Sequence, residues 1–221
     1  MKAEMSMKLK VCGMREPQNI RELAQLHPDY MGLIFYPQSK RVVADLDTEM
    51  LQNLPASLKI TGVFADETVE GIIEKCQKYP LKAIQLHGAE SPEFCRLLRA
   101  ALEQIKPAEP LELIKAFGLD EDFDFQTLEP YLHLVDFFLF DTKTAAHGGS
   151  GITFNWSVLD NYPYTKPYFL SGGLSAENLP EVNLIKDPRL YALDLNSRFE
   201  IAPGKKDIEK IKQALNNLES R

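Results

Sequence analysis

The sequence predicts an α/β fold, a single (β/α)8 TIM barrel over residues 1–221, with some helices short or replaced by loops. Three observations carry that expectation. Eight short apolar runs recur along the chain, helix-like stretches lie between them, and no inserted linker breaks the alternation. Most of the runs are nearly continuous rather than alternating, which marks parallel strands covered on both faces. An open sheet of the dinucleotide-binding type would carry G-x-G-x-x-G after its first strand, and the sequence has no such motif. At 221 residues the chain is near the short end for a barrel, hence the expectation of abbreviated helices.

Taken in order, the strand candidates are Lys8–Gly13, Tyr30–Tyr36, Lys59–Phe64, Ala83–His87, Glu112–Phe117, Phe137–Asp141, Tyr168–Ser171 and Leu190–Leu195. Between the first two, Ile20, Leu23, Ala24 and Leu26 suggest a helix over Asn19–Leu26. Val69, Ile72, Ile73 and Cys76 fall on one stripe of a helix over Glu67–Tyr79. Pro92, tolerated in a first helical turn, precedes Phe94, Cys95, Leu97 and Leu98. Asp120–His133 has a weaker helical pattern. After the seventh strand Ser175 resembles a helix N-cap, and Asp207–Leu218 places Ile208, Ile211, Leu215 and Leu218 on one face. Cys76 and Cys95 fall on helix faces and are assigned to packing.

The composition narrows the function classes. Lys and Arg number 25 against 32 Asp and Glu, a formal charge of −7 with no basic run longer than two residues, which disfavours nucleic acid as a partner. No run approaches the ~20 apolar residues of a membrane span, and the N-terminus has no signal-peptide core, so the expected location is cytoplasmic. Three cysteines without C-x-x-C spacing argue against a disulfide framework or a cysteine-rich zinc site. The four histidines show no ligand spacing, so the expectation is a site with no metal and no organic cofactor. Monomer and homodimer are both left open.

In such barrels chemistry sits at the C-terminal strand ends, and phosphate often binds after strands seven and eight. The strand ends here present Cys12, Arg41, His87, Asp141, the Gly172-Gly173 pair, and Asp194 followed by Asn196 and Ser197. Gly172 and Gly173 before a helix start would let backbone N–H groups approach a phosphate. A tight turn is the plainer alternative, and the position after strand seven favours phosphate. Cys12 has an equally plain reading as a small buried residue, and His87 as a structural histidine. Asp141, ending an apolar strand, needs partners or solvent, and Lys143 is close in sequence. The glycine-rich Gly148–Phe154 stretch lacks the G-x-x-x-x-G-K-[ST] pattern of a nucleotide loop and reads as a mobile cover or as ordinary loop.

Those residues, in this order, resemble the phosphoribosylanthranilate isomerase family. The similarity runs through Lys10–Met14, Gly32–Pro37 with Ser39 and Arg41, Gly62–Phe64, Gln85–Gly88, Phe140–Thr142, and Gly148–Gly151 with Phe154 and Trp156. It continues through Leu170–Leu174 with Glu177 and Asn178, and Pro203–Gly204 with Lys206 and Asp207. Two positions depart from the pattern. Arg198 stands where a glycine is common, as an added phosphate contact or an outward-facing residue, and Ile152 stands where a lysine is common.

The resemblance implies an Amadori rearrangement of a small phosphosugar–anthranilate substrate, with Asp141 as general acid and Cys12 as thiolate general base. It implies that Arg41 binds the anthranilate carboxylate and that Asp194 faces the substrate amine. Gly172, Gly173, Asn196 and Ser197 would surround the phosphate. A thiolate near neutral pH requires surroundings that lower an ordinary thiol pKa of about 8.5. The acid requires the opposite, since a carboxyl of pKa about 3.9 is ionised at pH 7. Two other enzymes on this scaffold, a histidine-pathway sugar isomerase and a ribulose-phosphate epimerase, are disfavoured by Cys12 and by the missing metal ligands. A non-catalytic phosphosugar-binding barrel would explain the glycine pair but not Cys12, Asp141 and Arg41 together.

Overall fold

The computed structural model describes residues 7–105, 109–142 and 155–219, the last three of these by backbone only. The Gly148–Phe154 stretch, with Lys143 and Ile152, lies outside the described residues. Eight parallel strands close into a barrel in sequence order: β1 (Lys8–Cys12), β2 (Tyr30–Ile34), β3 (Lys59–Phe64), β4 (Ala83–Leu86), β5 (Glu112–Leu119), β6 (Phe137–Thr142), β7 (Tyr168–Leu170) and β8 (Leu190–Leu195). Every strand expected from the apolar runs is present, with ends moved by no more than two residues.

The registers show which side chains point inward. Lys10 pairs with Tyr30 on β2 and with Asp194 on β8, Cys12 with Gly32, and Gly118 on β5 with Asp141. Tyr30, Ala83, Ile114, Ala116, Leu139, Phe169 and Ala192 fill the barrel interior. The alternate residues, such as Leu9, Val11, Leu113, Phe138 and Leu193, pack outward under the helices. By strand alternation Cys12 shares the inward face with Lys10, and Asp141 shares it with Leu139.

The N-terminal mouth of the barrel is plugged. Tyr30 donates its hydroxyl to Glu112 (2.9 Å), Lys59 pairs with the same carboxylate (2.5 Å), and Tyr191 stacks on Phe137 with ring centroids 4.6 Å apart. Apolar packing of this kind, with its polar atoms paired, stabilises the closed end and leaves the opposite end for function.

The outer layer follows the amphipathic pattern unevenly. α1 (Pro17–Ala24) starts on a proline in its first turn and buries Ile20, Leu23 and Ala24. α2 (Thr48–Gln52) is capped by the Asp47 carboxylate, and α3 (Val69–Lys78) by the Thr68 hydroxyl, which accepts from Gly71 N at 3.0 Å. α4 (Pro92–Ile105) buries Cys95, Leu98 and Leu102. The weak pattern over Asp120–His133 resolves as a 3-10 turn at Phe125–Tyr131, and a second such turn spans Trp156–Asn161. The abbreviation expected from chain length therefore falls after β5 and β6.

One local expectation is corrected. The helix after β7, α5 (Leu179–Val182), is only four residues long and begins at Asn178 rather than at Ser175. Asn178 accepts from Ser175 N (2.8 Å) and donates to Gly173 O (3.0 Å), so this segment is wound as a side-chain-braced turn before the helix begins. β8 leads through a 3-10 turn at Ser197–Phe199 into a hairpin absent from the sequence reading, β9 (Glu200–Ala202) and β10 (Lys205–Lys206), and then into α6 (Ile208–Glu219). Buried Asn19 on α1 clasps that hairpin by donating to Lys206 O (3.0 Å) and accepting from Lys206 N (2.7 Å). All three cysteines are free.

Candidate active site

Cys12 ends β1 almost fully buried at 3% exposure, facing the C-terminal mouth. The residue beside it on β2 is Gly32, where an added Cβ would stand 2.7 Å from the sulfur, so the thiol occupies space that any side chain there would take. Lys10, one turn of the pleat below, is fully buried and pairs with Asp194 at 2.8 Å across the β1–β8 seam. Burial works against the Lys10 ammonium, but Asp194 and the Cys12 sulfur, to which it also hydrogen bonds, hold its pKa above the ordinary lysine value.

Cys12 does not sit in the activating environment that the sequence reading required. Burial pushes its thiol up and the Asp194 charge pushes the same way, while Lys10 and Lys206 pull against them without cancelling them. The two ammonium groups are nonetheless the features placed to stabilise a thiolate once it forms.

Asp141 lies at the end of β6, 9% exposed. Its Oδ1 accepts from Thr142 N at 2.8 Å, and its Oδ2 lies 3.4 Å from His87 Nε2. Gln85 Nε2 lies 2.7 Å from His87 Nδ1, and amide donation to that nitrogen leaves the ring proton on Nε2, towards Asp141. His87 is thus held between Gln85 and the candidate acid. Cys12, His87, Asp141 and Asp194 all lie at or next to the C-terminal ends of their strands, β1, β4, β6 and β8. Asp194 Oδ1 is buried and accepts no hydrogen bond from any described residue.

Gly172 follows β7 with φ +86°, and Gly173 has φ +66°. A side chain at Gly172 would be strained by that backbone and would meet Asp141 Oδ1 at 2.9 Å. Gly172 therefore lies against the candidate acid, and both glycines are half-buried. Asn196 and Ser197, likewise half-buried, follow β8 on the neighbouring strand. Arg198 is exposed in the 3-10 turn after β8.

Arg41, in the loop after β2, is held from a direction that sequence did not reveal. Its Nε and Nη2 grip the Glu200 carboxylate at 2.8–3.1 Å, and Lys206 Nζ reaches Glu200 at 2.7 Å and Asn196 Oδ1 at 2.8 Å. Burial lowers the pKa of Lys206 to about 8 against the opposing pull of Glu200. Glu200 also loses solvation, yet Arg41 and Lys206 hold it below the ordinary glutamate value. Lys10, Lys206 and Glu200 were missed as site residues. For Lys10 a signal existed, since its parity with Cys12 on β1 and its register opposite the inward Asp194 require a buried partner.

Among the described residues no three His, Cys, Asp or Glu side chains gather as a metal site, and no helix is long and apolar enough to cross a membrane.

Residues 9–217 match the family model described as N-(5'-phosphoribosyl)anthranilate (PRA) isomerase. The N-(5'-phosphoribosyl)anthranilate isomerase of Parabacteroides distasonis is 44% identical over 212 residues, covering 95% of this chain and 92% of that protein. The crystal structure of phosphoribosyl anthranilate isomerase from Thermus thermophilus superimposes with a TM-score of 0.82 at 28% identity, over 97% of this chain and 99% of that one. A further isomerase structure, in complex with reduced 1-(o-carboxyphenylamino)-1-deoxyribulose 5-phosphate, gives a TM-score of 0.72 at 29% identity, over 97% of this chain and 100% of that one.

Proposed function

Because the chain belongs to the N-(5'-phosphoribosyl)anthranilate isomerase family, we propose that its barrel mouth is the site of that reaction and that Cys12 and Asp141 carry the proton transfers. The protein is an isomerase of L-tryptophan biosynthesis, converting N-(5-phosphoribosyl)anthranilate to 1-(2-carboxyphenylamino)-1-deoxyribulose 5-phosphate.

Asp141, in its acid form, gives a proton to the ribose ring oxygen. The C1–O bond breaks as the anthranilate nitrogen lone pair closes a C1=N bond, leaving an open-chain iminium and the Asp141 carboxylate. The Cys12 thiolate then takes the C2 proton, and the C–H electrons form C1=C2 while the C=N electrons return to nitrogen. The resulting enolamine gains a proton at C1 and loses one from the C2 hydroxyl, which gives the aminoketone. Acid and base must flank one sugar, and the observation that supports this pair is their place at the same end of the barrel, Cys12 at the end of β1 and Asp141 near the end of β6. His87 beside Asp141, and the Lys10 and Lys206 ammonium groups near Cys12, support the two charge states that form in passing.

Arg41 binds the substrate carboxylate, for which a planar fork is suited. Asp194, with an unoccupied buried oxygen, accepts from the substrate amine. Gly172, Gly173, Asn196 and Ser197 surround the phosphate, a role supported by their half-buried places after β7 and β8. A doubly charged sugar phosphate does not cross bilayers unaided, which supports the cytoplasm as the place of work.

The test follows loss of anthranilate-type fluorescence as purified protein consumes the substrate. Cys12→Ala and Asp141→Asn are each expected to lower kcat by at least ~100-fold with the fold intact by circular dichroism. Near-normal turnover by either variant removes that residue from the mechanism.

A further inference from the structure

An arginine guanidinium offers two edges for two-point bonding, one made by Nε and Nη2 and the other by Nη1 and Nη2. On Arg41 the first edge is taken. Nε lies 2.9 and 3.1 Å from the two Glu200 oxygens, and Nη2 lies 2.8 Å from Oε2. The Arg41 side chain retains 15% exposure, against 5% for Glu200, so Glu200 is the more enclosed partner.

Glu200 is itself fixed. Its Oε1 accepts from Lys206 Nζ at 2.7 Å and from Gly204 N at 3.1 Å. The hairpin that carries it is clasped to α1 through Asn19. At the other end of Arg41, the Cδ methylene lies over Gly13, where an added Cβ would approach it to 2.8 Å. Gly13 follows Cys12 in the chain and has φ +79°. The arginine is therefore held at head and stem, and its stem rests on the peptide next to the candidate base.

From this geometry we propose that Glu200 is a positioning residue of the carboxylate subsite, locking Arg41 so that only its Nη1–Nη2 edge meets the substrate carboxylate and so sets the ribose against Cys12. The inference rests on the isomerase reading and on Arg41 as the carboxylate partner. It assigns Glu200 a task in specificity, whereas a structural tie between the β2 loop and the terminal hairpin would contribute to folding alone. The distinction lies in what the substrate carries. Misaligning the Arg41 fork costs only a substrate that has a carboxylate to place.

The experiment compares two substrates formed in solution from ribose 5-phosphate, N-(5-phosphoribosyl)anthranilate and the carboxylate-free N-(5-phosphoribosyl)aniline, with product measured by chromatography. For Glu200→Gln, kcat/KM on the anthranilate substrate is expected to fall roughly ten- to a hundredfold further than that on the aniline substrate. Glu200→Asp, which keeps the charge on a shorter stem, is expected to restore part of the difference. The double variant Glu200→Gln/Arg41→Gln is expected to lose no more than Arg41→Gln alone, because both act through one fork. Equal losses on the two substrates, or no loss on either, overturn the positioning role while leaving the isomerase assignment intact. If Glu200→Gln does not fold, the same comparison is made with Glu200→Asp, and equal losses there overturn it as well. Failure of the wild-type protein to convert the anthranilate substrate overturns the isomerase assignment and this role together.

Discussion

Cys12 shows how one residue can be well placed and poorly charged at once. Its burial favours the thiol, and only the neighbouring Lys10 and Lys206 ammonium groups work for the thiolate. Activity should therefore climb as pH rises through the Cys12 ionisation, since the base is the deprotonated form and burial has moved that ionisation upward. Removing a cation moves it further the same way. For Lys206→Met we expect the rising limb of the kcat/KM profile to shift to higher pH than in the wild type, measured from about pH 6 to about pH 11 so that the window brackets an upward-shifted thiol. An unmoved limb would separate Lys206 from the base. Cys12 and Asp141 were legible in the sequence because each ends an apolar run, where a barrel places its chemistry. Glu200 was not, because its role runs through a partner far along the chain, Arg41 lying 159 residues away, and Lys206 is drawn in through Glu200. His87 was visible as a residue but not as a neighbour of Asp141, since the two meet only through the pairing of β4 and β6 on either side of β5.

At the scale of elements, the strands were legible and the connections less so. Continuous apolar runs such as Phe137–Phe140 leave few alternatives to a strand buried on both faces. The β9–β10 hairpin has three residues on one side and two on the other, too few for any period to show. Ser175 misled as a cap because Asn178 competes for the same backbone, satisfying Ser175 N and Gly173 O by its own amide. The hairpin matters more than its size suggests, because it delivers Glu200 and Lys206. Its anchor is Asn19, which meets the Lys206 backbone as a strand partner would. Asn19→Ala leaves a buried N–H and a buried C=O unpaired, and we expect a loss of about 2 kcal/mol in unfolding free energy by urea titration. Turnover should fall with it. A change under about 0.5 kcal/mol would mean that the hairpin is held by other contacts.

For the molecule as a whole, closure of the sheet and assembly of the site are one event. The Lys10–Asp194 pair spans the seam between the first and last strands, so neither charge has its partner until the eighth strand docks. A chain of net charge −7 thereby gathers Lys10, Arg41 and Lys206 at the one place where an anionic substrate must sit. The plug of Tyr30, Lys59, Glu112 and Tyr191 has a further consequence. Among the described residues it fills the N-terminal end, which leaves the C-terminal mouth for reactant and product alike, so the two must take turns. Product should accordingly behave as a purely competitive inhibitor, raising KM and sparing kcat in initial-rate measurements. A lowered kcat at saturating substrate would point to a second seat for it. With the N-terminal end filled among the described residues, a half-made molecule leaves past the groups that would finish it.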